Sequence, residues 1–440
     1  MSTMDTIISL CKRRGFIFPG SEIYGGLAGT WDFGPLGVEL AHNIKNLWWD
    51  HFVKKHPENY GLASSILMPE AVWSASGHLE GFSDPMVECK KCKKRFRADQ
   101  LSNPTAKRQS DCSLCPECNG ELGEVRQFNL MFKTHAGATA ASENAVYLRP
   151  EIAQGMFVHF KNVLDTMRPT LPFGIAQIGK AFRNEIAPRD FLFRVREFDL
   201  MEFEYFVRES EWEEHFEKWR KEMWAWIEKI GITKDLVHEL ELPKEDRAHY
   251  SKRTIDFEFD FPFGRNELYG LAYRGDHDLT QHAKHSGVDL RYTDPVSGEK
   301  FLPHVVEPTF GLGRTVLAVL LSAYCEDELG GEKRVLLKLD PKIAPVKVAV
   351  FPLVSNKENI VAKAREVFEM LVSQVETRWD DIGNIGKRYR RQDEIGTPWC
   401  TTIDYQTLED ETVTVRDRDS GKQERILVTD LLPYIQAKLV

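Results

Sequence analysis

The stretch of sequence that decides the fold is FRNEIAPRDFLFRVREFDLMEFE, residues 182–204. It predicts two strands joined by a loop at residues 186–191, where a proline and charged residues interrupt the apolar pattern. Successive side chains of a strand point to opposite faces, so residues two apart share a face. One face of each strand therefore gathers small and charged side chains: Gln177, Gly179, Ala181, Arg183 and Glu185 on the first strand, and Arg194, Arg196, Phe198, Leu200, Glu202 and Glu204 on the second.

The composition of this face is typical of a site that binds phosphate and a flat ring. Guanidinium groups bind phosphate oxygens bidentately and keep their charge. Phe198 offers a surface on which a base can stack, and Gly179 and Ala181 are small enough to leave room for a ligand. The alternative is a cross-strand ladder of Arg–Glu pairs on a solvated antiparallel sheet. The segments described below favour the binding site.

Length and composition limit the possible classes of protein. A chain of 440 residues is too long for one ordinary core, which predicts two or three domains. Hydrophobic content of 42% and charged content of 28% are typical of a globular protein. The sequence has no apolar run of membrane-spanning length and no signal pattern, which predicts a cytoplasmic protein without a membrane partner. The net charge of -9 argues against non-specific coating of nucleic acid but allows a shaped RNA partner.

Two cysteine pairs predict a zinc ribbon. Cys89 and Cys92 form one CxxC knuckle, Cys115 and Cys118 form a second, and 22 residues separate the two. Four thiolates from two such turns can provide the tetrahedral site that Zn²⁺ prefers. Cys112 is a fifth candidate, which can replace Cys115 in the set. Free surface thiols are the alternative, and both a structural role and a contact with nucleic acid stay open for the zinc site.

The N-terminal region predicts a short helix, a glycine-rich turn and a longer helix. Glycines cluster at residues 20–37 without the spacing of a nucleotide-binding fingerprint. Apolar residues from Leu40 to Phe52 recur at helical spacing, which predicts a helix from about Val38 to Val53. An extended segment follows at residues 61–68 and is closed by Pro69. Ordinary core packing and a subunit interface both remain open for this unit.

Glu151 lies between a predicted strand that ends at Leu148 and a predicted helix that begins near Ile152. Pro150 and Glu151 are both favourable at a helix N-terminus, because Pro has the right backbone angle and a carboxylate complements the helix dipole. Glu151 is therefore either a dipole-compensating residue or part of a site that binds a substrate cation.

Most residues of the segment 212–300 are predicted to pack in the core or to lie on the surface. Six large apolar residues between Trp212 and Ile230 recur at helical spacing and indicate a core-facing helix. Residues 254–261 alternate as a strand, and a turn follows. Three histidines match no metal-binding spacing and are predicted to be solvated: His277, His282 and His285.

Residues 304–314, HVVEPTFGLGR, predict a strand that carries Glu307, a glycine break, and Arg314 at the start of an apolar helix. Gly311 and Gly313 allow the backbone to approach a nucleotide, and Arg314 at a helix N-terminus adds a second charge for phosphate. The GxGR pattern alone is weak. Beside the central hairpin it becomes a strong indication of a nucleotide site.

The pattern changes at a proline-bearing linker, residues 339–345. Beyond it, strands and helices alternate, which predicts a small α/β domain with a mainly parallel sheet. The basic run KRYRR, residues 387–391, is typical either of an RNA contact or of a solvated helix face.

Three segments together resemble motifs 1, 2 and 3 of the class II aminoacyl-tRNA synthetases: the helix–strand unit ending at Pro69, the hairpin at 182–204 and the GxGR strand–helix. Further stretches resemble the dimeric glycyl-tRNA synthetase family: CKRRGFIFPGSEIYGG, GTWDFGPLGVEL, FNLMFKT, YLRPEIAQG, LPFGIAQIGKAFRNEI, FLFRVREF and GNIGKRYRRQDEIGTP. The resemblance covers nearly the whole chain and thins in the cysteine region and between Val237 and Lys300. The zinc knuckles occur in only some members, and Thr309 stands where a serine is expected.

The resemblance implies an α+β fold. A catalytic domain at residues 1–340 is expected to hold an antiparallel sheet flanked by helices, with a zinc-ribbon-like insertion at 87–125 and a variable insertion at 207–300. An α/β anticodon-binding domain is expected at residues 341–440. Motif 1 forms the dimer interface in this family, which favours that role for Val38–Pro69. The implied partners are tRNA(Gly), glycine, ATP and a second copy of the chain, with Mg²⁺ and structural Zn²⁺ as cofactors and no DNA.

The implied first reaction is attack of the glycine carboxylate on the α-phosphorus of ATP, followed by transfer of glycine to tRNA. Arg183, Glu185 and Arg314 are the catalytic candidates. Arg183 is expected to hold the α-phosphate, with Arg194 and Arg314 on the outer phosphates and Mg²⁺ near Glu185 or Glu307. The adenine is expected to lie between the ring of Phe198 and the guanidinium of Arg314.

The resemblance also implies the residues around each substrate. Those expected around ATP are Arg183, Asn184, Glu185, Phe193, Arg194, Val195, Arg196, Glu197, Phe198, Glu267, Leu268, Gly311, Leu312, Gly313 and Arg314. Those expected around glycine are Arg97, Glu151, Phe198, Asp199, Leu200, Met201, Glu202, Glu307, Pro308, Thr309, Phe310 and Gly311. Glu151, Glu202 and Glu307 are expected to converge as a cage for the ammonium group, while lack of space excludes larger amino acids.

Three other functions stay open from the sequence. A non-catalytic synthetase-like dimer that binds nucleic acid is expected to lose the ATP arginines and the acidic cage, which are present here. A class II synthetase for serine, proline or threonine is disfavoured by the three glutamates. A zinc-ribbon RNA-binding protein without chemistry leaves the arginine hairpin unexplained.

Overall fold

The computed structural model describes residues 3–101, 114–138, 145–248 and 250–439. The helices are α1 Met4–Arg14, α2 Pro35–Trp49, α3 Glu70–Ala75, α4 His78–Gly81, α5 Ala153–Val158, α6 Phe160–Met167, α7 Trp212–Lys229, α8 His277–Ser286, α9 Leu312–Ala323, α10 Glu358–Val372, α11 Ile385–Ile395, α12 Thr407–Asp410 and α13 Val428–Leu439. No helix within these ranges is both long enough and apolar enough to cross a membrane.

The strands are short except in the central sheet: β1 Ile17–Pro19, β2 Trp31–Phe33, β3 Asn59–Gly61, β4 Leu67–Pro69, β5 Ser83–Glu88, β6 Arg95–Arg97, β7 Arg126–Asn129, β8 Phe132–His135, β9 Ala145–Leu148, β10 Phe173–Phe182, β11 Glu197–Val207, β12 Val237–Glu241, β13 Arg253–Phe261, β14 Gly264–Gly275, β15 Tyr292–Thr293, β16 Lys300–Phe301, β17 His304–Gly311, β18 Tyr324–Leu329, β19 Glu332–Leu337, β20 Val348–Pro352, β21 Thr377–Trp379, β22 Trp399–Ile403, β23 Thr412–Asp417 and β24 Gln423–Leu427.

A seven-stranded sheet of order β12-β13-β14-β17-β11-β10-β3 organises the N-terminal part of the chain. Its strand pairs are antiparallel, except that β10 runs parallel to β3. The stretch at residues 182–204 supplies the turn into β11 and most of β11 itself. Across β10 and β11 the register pairs Gln177 with Glu202 and Ala181 with Phe198. The predicted antiparallel sheet flanked by helices is confirmed.

The two strands of the central hairpin are shorter than the alternation predicts. β10 ends and β11 begins so that four charged residues lie in the connecting loop: Arg183, Glu185, Arg194 and Arg196. Asp190 and Phe191 adopt left-handed backbone with φ of 59° and 58°, which turns the loop sharply. The prediction that these four residues occupy a strand face is therefore wrong, because β10 ends before them and β11 begins after them.

One face of the central sheet is covered by aromatic side chains. Phe203 of β11 packs against Trp219 of α7 with ring centroids 4.7 Å apart. Phe310 of β17 packs against Phe52, which follows α2, at 4.9 Å. Trp48 of α2 is fully buried in the same cluster. Burial of each such side chain contributes roughly 2–3 kcal/mol. The predicted apolar stripes of α2 and α7 therefore cover this face of the sheet, and the opposite face is left for a site.

The C-terminal part forms a second sheet of order β21-β20-β22-β23-β24. Strands β21, β20 and β22 are parallel, while β22, β23 and β24 are antiparallel. The prediction of a mainly parallel sheet is therefore wrong for half of the pairs. Short helix α12, Thr407–Asp410, joins β22 to β23 without crossing the sheet, so the chain returns in the opposite direction.

The basic run at residues 387–391 is occupied by contacts within the protein. Arg388 is buried and donates hydrogen bonds to backbone carbonyl oxygens, including that of Gly383 at 2.7 Å. Arg391 pairs with Asp380 at 2.7 Å. The hydroxyl of Tyr389 lies 2.7 Å from that of a threonine on β22. Because these side chains support the domain, the interpretation as a solvated helix face is wrong for most of the run.

A buried ionic cluster joins the two parts of the chain. Asp393 of α11 accepts hydrogen bonds from Arg416 of β23 at 2.8 Å and from Arg334 of β19 at 3.2 Å. Arg334 also pairs with Asp327 of β18 at 2.6 Å. Asp393 is 1% exposed, so its charge relies on these two guanidinium groups for compensation. The cluster therefore fixes hairpin β18–β19 against the C-terminal sheet.

Replacement of the central carboxylate tests this cluster. The variant Asp393→Asn keeps the shape of the side chain but leaves buried Arg416 without a counter-charge and Arg334 with Asp327 alone, so we expect the free energy of unfolding to fall by about 3 kcal/mol or more. The control is Glu332→Gln, which breaks the exposed pair with Arg390 and is expected to cost less than about 1 kcal/mol. Urea unfolding of both variants provides the measurement, and equal losses would contradict a special role for Asp393.

Candidate active site

The face of the central sheet opposite the aromatic cluster opens into a cavity of about 490 Å³. Alternation along β11 places Leu200 and Glu202 on this face, opposite Gly311 and Thr309 of β17. A Cβ added at Gly311 or at Gly270 of β14 would have no neighbour closer than 3.9 Å. These two glycines therefore leave an open floor where a flat ligand can approach the backbone.

Gly179 does not contribute to that floor. A Cβ at this position would collide with the guanidinium of Arg149, which fills the space. Arg149 is buried and donates hydrogen bonds to the carbonyl oxygens of Lys180 at 2.7 Å and Ser64 at 2.9 Å. The prediction that Gly179 leaves room for a ligand is therefore wrong, because the room is taken by an arginine of the protein.

Arginines from separate parts of the chain line this one cavity: Arg97, Arg183, Arg194 and Arg314. The guanidinium of Arg183 lies 5.3 Å from the ring centre of Phe198 and 5.3 Å from that of Phe82. Its Nε donates a hydrogen bond of 3.1 Å to the carbonyl oxygen of Pro150. One edge of the guanidinium is thus anchored, which orients the group in the cavity.

Arg194 and Glu185 face each other in the loop between β10 and β11. Nη1 of Arg194 lies 4.0 Å from Oε2 of Glu185, and neither atom has a hydrogen-bond partner in the described structure. Burial lowers the pKa of Arg194 despite the attraction of Glu185. A buried donor and a buried acceptor without partners are costly, so this part of the cavity is suited to an anionic ligand together with a cation.

Arg314 begins α9 at the edge of the same cavity. Its Nη1 lies 2.9 Å from a carboxylate oxygen of Glu267 and donates to the Glu267 carbonyl oxygen at 2.9 Å. The charge of Arg314 lowers the pKa of Glu267. The guanidinium lies 4.3 Å from the ring centre of Phe193. Arg314 is therefore stacked on Phe193 in this structure, while the guanidinium over Phe198 is that of Arg183.

Arg97 reaches the cavity from the small sheet β6-β5-β7. Its guanidinium pairs with Asp84 of β5 at 2.6 Å and with Asp99 at 2.7 Å. The hydrogen bond that Arg97 donates to Asp99, followed by the charge of Asp84, raises the pKa of Arg97 against the effect of burial. The small sheet that adjoins the cysteine pairs thus forms part of the cavity wall.

Carboxylates dominate another part of the cavity. Glu202, Glu204 and Glu307 each present an oxygen within 4.8 Å of the other two, and they are 2%, 0% and 6% exposed. Burial and the charge of Glu307 raise the pKa of Glu202 and of Glu204 well above the ordinary value. Burial raises the pKa of Glu307 to about 7. A cation bound among these buried carboxylates would relieve their mutual repulsion, so the group favours cation binding.

Arg274 of β14 compensates part of this negative charge. The side chain is buried and its Nη1 lies 2.7 Å from Oε1 of Glu307. Its Nε and Nη2 lie 2.8 Å and 2.9 Å from the carboxylate of Asp278 in α8. The ring of Tyr250 lies 3.6 Å from the guanidinium carbon. Although burial acts in the opposite direction, these carboxylates raise the pKa of Arg274, which stays charged.

Glu151 joins the carboxylates from the segment between β9 and α5. Its carboxylate lies 3.1 Å from Nε2 of His78 and accepts a hydrogen bond of 2.9 Å from Gln154. Burial favours the neutral acid, but His78 and Arg274 outweigh it and lower the pKa of Glu151. Glu151 is thus the ionised member of the set, and this holds whether or not it also compensates the helix dipole.

Most of the side chains expected around the two substrates meet in the cavity: Arg97, Glu151, Arg183, Glu185, Phe193, Arg194, Val195, Phe198, Asp199, Leu200, Glu202, Glu267, Leu268, Glu307, Thr309, Gly311, Gly313 and Arg314. The remainder do not line it: Asn184, Arg196, Glu197, Met201, Pro308, Phe310 and Leu312. Met201, Pro308 and Phe310 point to the opposite face of the sheet, as period-two alternation requires.

Arg196 instead fixes the loop around the cavity. It donates hydrogen bonds to the carbonyl oxygens of Ala28 at 2.7 Å and Glu185 at 3.1 Å. Gly29 has a φ of 77°, and a Cβ there would collide with Pro188. A glycine is therefore required where the N-terminal turn meets the loop.

Several residues of the site were not found from the sequence: Asp84, His78, Gln154, Tyr250, Arg274 and Asp278. Arg274 and Asp278 are four residues apart across the end of β14 and the start of α8, which is the one signal of an ion pair. His282 of α8 is 6% exposed and lies 2.7 Å from the amide oxygen of Gln154. The prediction that His282 is solvated is therefore wrong, whereas His285 is exposed.

Four cysteines form a compact cluster beside β5: Cys89, Cys92, Cys115 and Cys118. Sγ of Cys89 lies 3.5 Å from that of Cys118, and Sγ of Cys92 lies 3.7 Å from that of Cys115. Zn–S bonds of about 2.3 Å at a tetrahedral ion place sulfurs about 3.8 Å apart, so the residues fit zinc. A Cβ at Gly120 would lie 3.2 Å from two of the sulfurs, which explains the glycine. Cys112 lies outside the described residues.

Comparison with known families agrees with this architecture. Residues 132–324 match the tRNA synthetase class II core domain for G, H, P, S and T, and residues 347–438 match the anticodon binding domain. The first match includes the central hairpin, Glu151 and the GxGR segment. The second begins just after the linker at residues 339–345.

Curated relatives extend over nearly the whole chain. The glycine–tRNA ligase of Caldanaerobacter subterraneus subsp. tengcongensis is 50% identical over 99% of this chain and 98% of its own length. That of Clostridium tetani is 50% identical with the same coverage. That of Alkaliphilus oremlandii is 49% identical over 99% of this chain and 98% of its own length. The chain therefore belongs to the glycine–tRNA ligase family and is a class II aminoacyl-tRNA ligase.

Proposed function

We propose that this chain joins glycine to tRNA(Gly) in the cytoplasm, in two steps that use the same cavity. In the first, a carboxylate oxygen of glycine attacks the α-phosphorus of ATP, the bond to the bridging oxygen breaks, and pyrophosphate leaves. In the second, a terminal ribose hydroxyl of the tRNA attacks the glycyl carbonyl and AMP leaves. The observation that carries the proposal is a single cavity that joins four arginines to a set of buried glutamates.

The arginines would act on ATP by holding and neutralising its phosphates. A carboxylate is already a nucleophile, so the first step needs alignment and charge stabilisation rather than a general base. Arg183 would hold the α-phosphate, and Arg194 and Arg314 would hold the outer phosphates. The adenine would stack on Phe198 with Arg314 over its other face, which requires Arg314 to leave Phe193.

Mg²⁺ would be held by Glu185, with Glu267 nearby. The orphaned buried Oε2 of Glu185 supports this choice, because Mg²⁺ prefers carboxylate oxygens. Glu307, the other candidate, is already paired with Arg274. When bound, the ion would neutralise charge on the phosphate oxygens, while Arg194 would keep the carboxylate of Glu185 oriented.

The glutamates would select glycine by its ammonium group and by its size. Glu151, Glu202 and Glu307 line the cavity from three segments and would surround the ammonium. Thr309, opposite Glu202 in the sheet register, keeps a hydroxyl in place of the expected serine. A pocket with no room for a methyl group rejects alanine more strongly than a larger pocket rejects a smaller acid.

The tRNA would bind across both parts of the chain. We assign residues 1–340 to catalysis, with an insertion at 87–125, and residues 341–440 to the anticodon. The segment 207–300, expected as an insertion, instead carries β12, β13 and β14 of the central sheet. The buried cluster around Asp393 supports a fixed distance between the two contacts. Such a fixed distance would let one rigid protein contact both the anticodon and the acceptor end.

The chain would act as a homodimer through the Val38–Pro69 unit. Val38 on the outer face of α2 is exposed, although the inner face of that helix is core. Apolar side chains also project from the neighbouring N-terminal turn, where Ile23 is 88% exposed and Tyr24 is 87% exposed. Large apolar side chains this exposed favour burial against a partner.

The four clustered cysteines would hold a structural Zn²⁺ whose role is to support Arg97. The pairing of β5 with β6 places Met86 opposite Arg97. Arg97 and its partner Asp84 lie on β6 and β5, which the first cysteine turn connects. Their positions therefore depend on that turn. The bound ion would supply the folding energy of this small module.

The first prediction concerns the arginine nearest the reacting phosphorus. The variant Arg183→Ala should lower the rate of glycine-dependent ATP–pyrophosphate exchange by about 100-fold or more, because it removes one preorganised charge from the transition state. The control is Arg189→Ala on the same loop, which is half-exposed, pairs with Asp190 and does not line the cavity. Thermal unfolding of both variants should match the unsubstituted protein. Unchanged exchange in Arg183→Ala would remove Arg183 from this role.

The second prediction concerns pH. Glu307 has its pKa raised to about 7 and must lose its proton to bind a cation. The KM for glycine should therefore fall as pH rises from 6 to 8, while kcat at saturating glycine changes less. Steady-state exchange across this range provides the measurement. A glycine KM that does not respond to pH would exclude Glu307 from the ammonium site.

The third prediction concerns metal content. Purified protein should contain one zinc ion per chain, and Cys118→Ser should lose it because three thiolates and a hydroxyl bind zinc more weakly. Cys325→Ser is the matched control, since Cys325 lies outside the cluster. Elemental analysis of the three proteins decides between the outcomes. Zinc retained by Cys118→Ser, or absent from the unsubstituted protein, would contradict the assignment.

A further inference from the structure

Glu204 is a buried acid that the proposed reaction does not use. It is 0% exposed, and neither of its carboxylate oxygens has a hydrogen-bond partner in the described structure. An ionised carboxylate in such a place would lose its hydration without compensation. The side chain therefore needs a physical reason to be there.

The sheet register explains which groups surround Glu204. On β11 and β17, Glu202 lies opposite Thr309 and Tyr205 lies opposite Val306, so the same register brings Glu204 beside Glu307. Glu202 is two residues away on the same face of β11. Oxygens of these three glutamates lie within 4.8 Å of one another. Glu204 thus stands directly against two members of the ammonium cage.

The balance of charge around Glu204 is strongly negative. The carboxylates that face it belong to Glu202 on β11, Glu307 on β17 and Asp278 on α8, and the facing cation is Arg274 on β14. Arg274 is already bound to Asp278 and Glu307. A bound ammonium group would compensate one further carboxylate. Arg274 and the ammonium together supply two positive charges against four carboxylates, so at least one acid of this group has to stay neutral.

A single proton can satisfy two unpartnered atoms at once. Oε1 of Glu202 is also buried and without a hydrogen-bond partner. A protonated Glu204 would donate an O–H to that oxygen and leave the other oxygen of Glu202 for a ligand. Glu307 is less suited to receive this proton, since Arg274 already donates to it.

We propose that Glu204 is a positioning residue that stays a neutral carboxylic acid and, through a hydrogen bond to Glu202, orients that carboxylate toward the substrate ammonium. This inference rests on the proposed function, because it assigns Glu202 to the ammonium. It extends that function by giving the cage an acid that carries no net charge at neutral pH. A raised pKa of Glu204, caused by burial and by Glu307, agrees with it.

Infrared spectroscopy tests the protonation state directly. At pH 7 with saturating glycine, the spectrum of unsubstituted protein minus Glu204→Gln should show the C=O stretch of one neutral carboxylic acid. Glycine is included because it favours the ionised forms of Glu202 and Glu307. A difference spectrum that shows a carboxylate band instead would overturn the proposal. This readout does not depend on catalytic activity.

Stability against pH provides a second test. The acid titrates near 4.3 when unfolded and at a higher pH when folded, so the folded state holds the proton that the unfolded state releases. Stability of the unsubstituted protein should therefore fall as pH rises above that value, whereas Glu204→Gln has no proton to lose. The unfolding temperature of Glu204→Gln relative to the unsubstituted protein should rise between pH 5 and pH 8. A relative fall would overturn the proposal.

Kinetics separate a positioning role from a purely structural one. Glu204→Leu lacks the donor and should raise the glycine KM by about tenfold, with the ATP KM unchanged, because it leaves an oxygen of Glu202 without a partner. Glu204→Gln keeps a neutral donor and should restore most of that loss. Equal defects in the two variants would contradict the hydrogen bond. If the unsubstituted protein shows no glycine-dependent exchange, the proposed function fails, while the infrared result still decides the state of Glu204.

Discussion

Burial of several carboxylates in the wall of one cavity and directly behind it is the constraint on which the rest of this structure depends. Glu202, Glu204 and Glu307 have no more than 6% of their surface exposed. Repulsion among the ionised members in a medium of low polarity would oppose folding without Arg274 of β14, which pairs with Glu307 on β17 and with Asp278 on α8. Compensation stays incomplete, and the cavity is therefore complementary to a small cation.

The sheet makes this arrangement possible because its two faces are chemically separate. Alternate residues of β11 and β17 send Phe203 and Phe310 into the aromatic cluster and Glu202 and Glu307 into the cavity. The aromatic face supplies the apolar burial that offsets the cost of the acidic face. The loop between β10 and β11 then adds arginines at the edge of the acidic region, so opposite charges meet without a continuous ladder of pairs.

Much of this organisation follows from the sequence, because it depends on local periodicity. Alternation predicted the shared face of Phe198, Leu200 and Glu202, and helical spacing predicted α2 and α7. Paired CxxC turns predicted the cysteine cluster, since its geometry is set by short local segments. The charged and glycine-rich composition of the hairpin and the GxGR segment, together with their resemblance to motifs of a known family, predicted that the two segments meet at one site.

Other features depend on contacts between distant segments and leave no local signal. Arg274 carries no local signal of a site, and His282 was predicted to be solvated; the burial of both follows from the packing of α8 on α5 and the sheet. Gly179 was predicted to leave space for a ligand, but Arg149, which follows β9, fills that space. The early end of β10 follows from backbone hydrogen bonds to other segments, because the N–H groups of Asn184 and Arg196 donate to the carbonyl oxygens of Leu130 and Gly29.

The most direct measurement is ATP–pyrophosphate exchange with each of the twenty amino acids in turn. A cavity that binds one small ammonium beside a row of guanidinium groups should support exchange with glycine and reject alanine and serine. Exchange supported equally by a larger amino acid, or by none, would contradict the joining of the acidic and basic regions into one glycine-activating site.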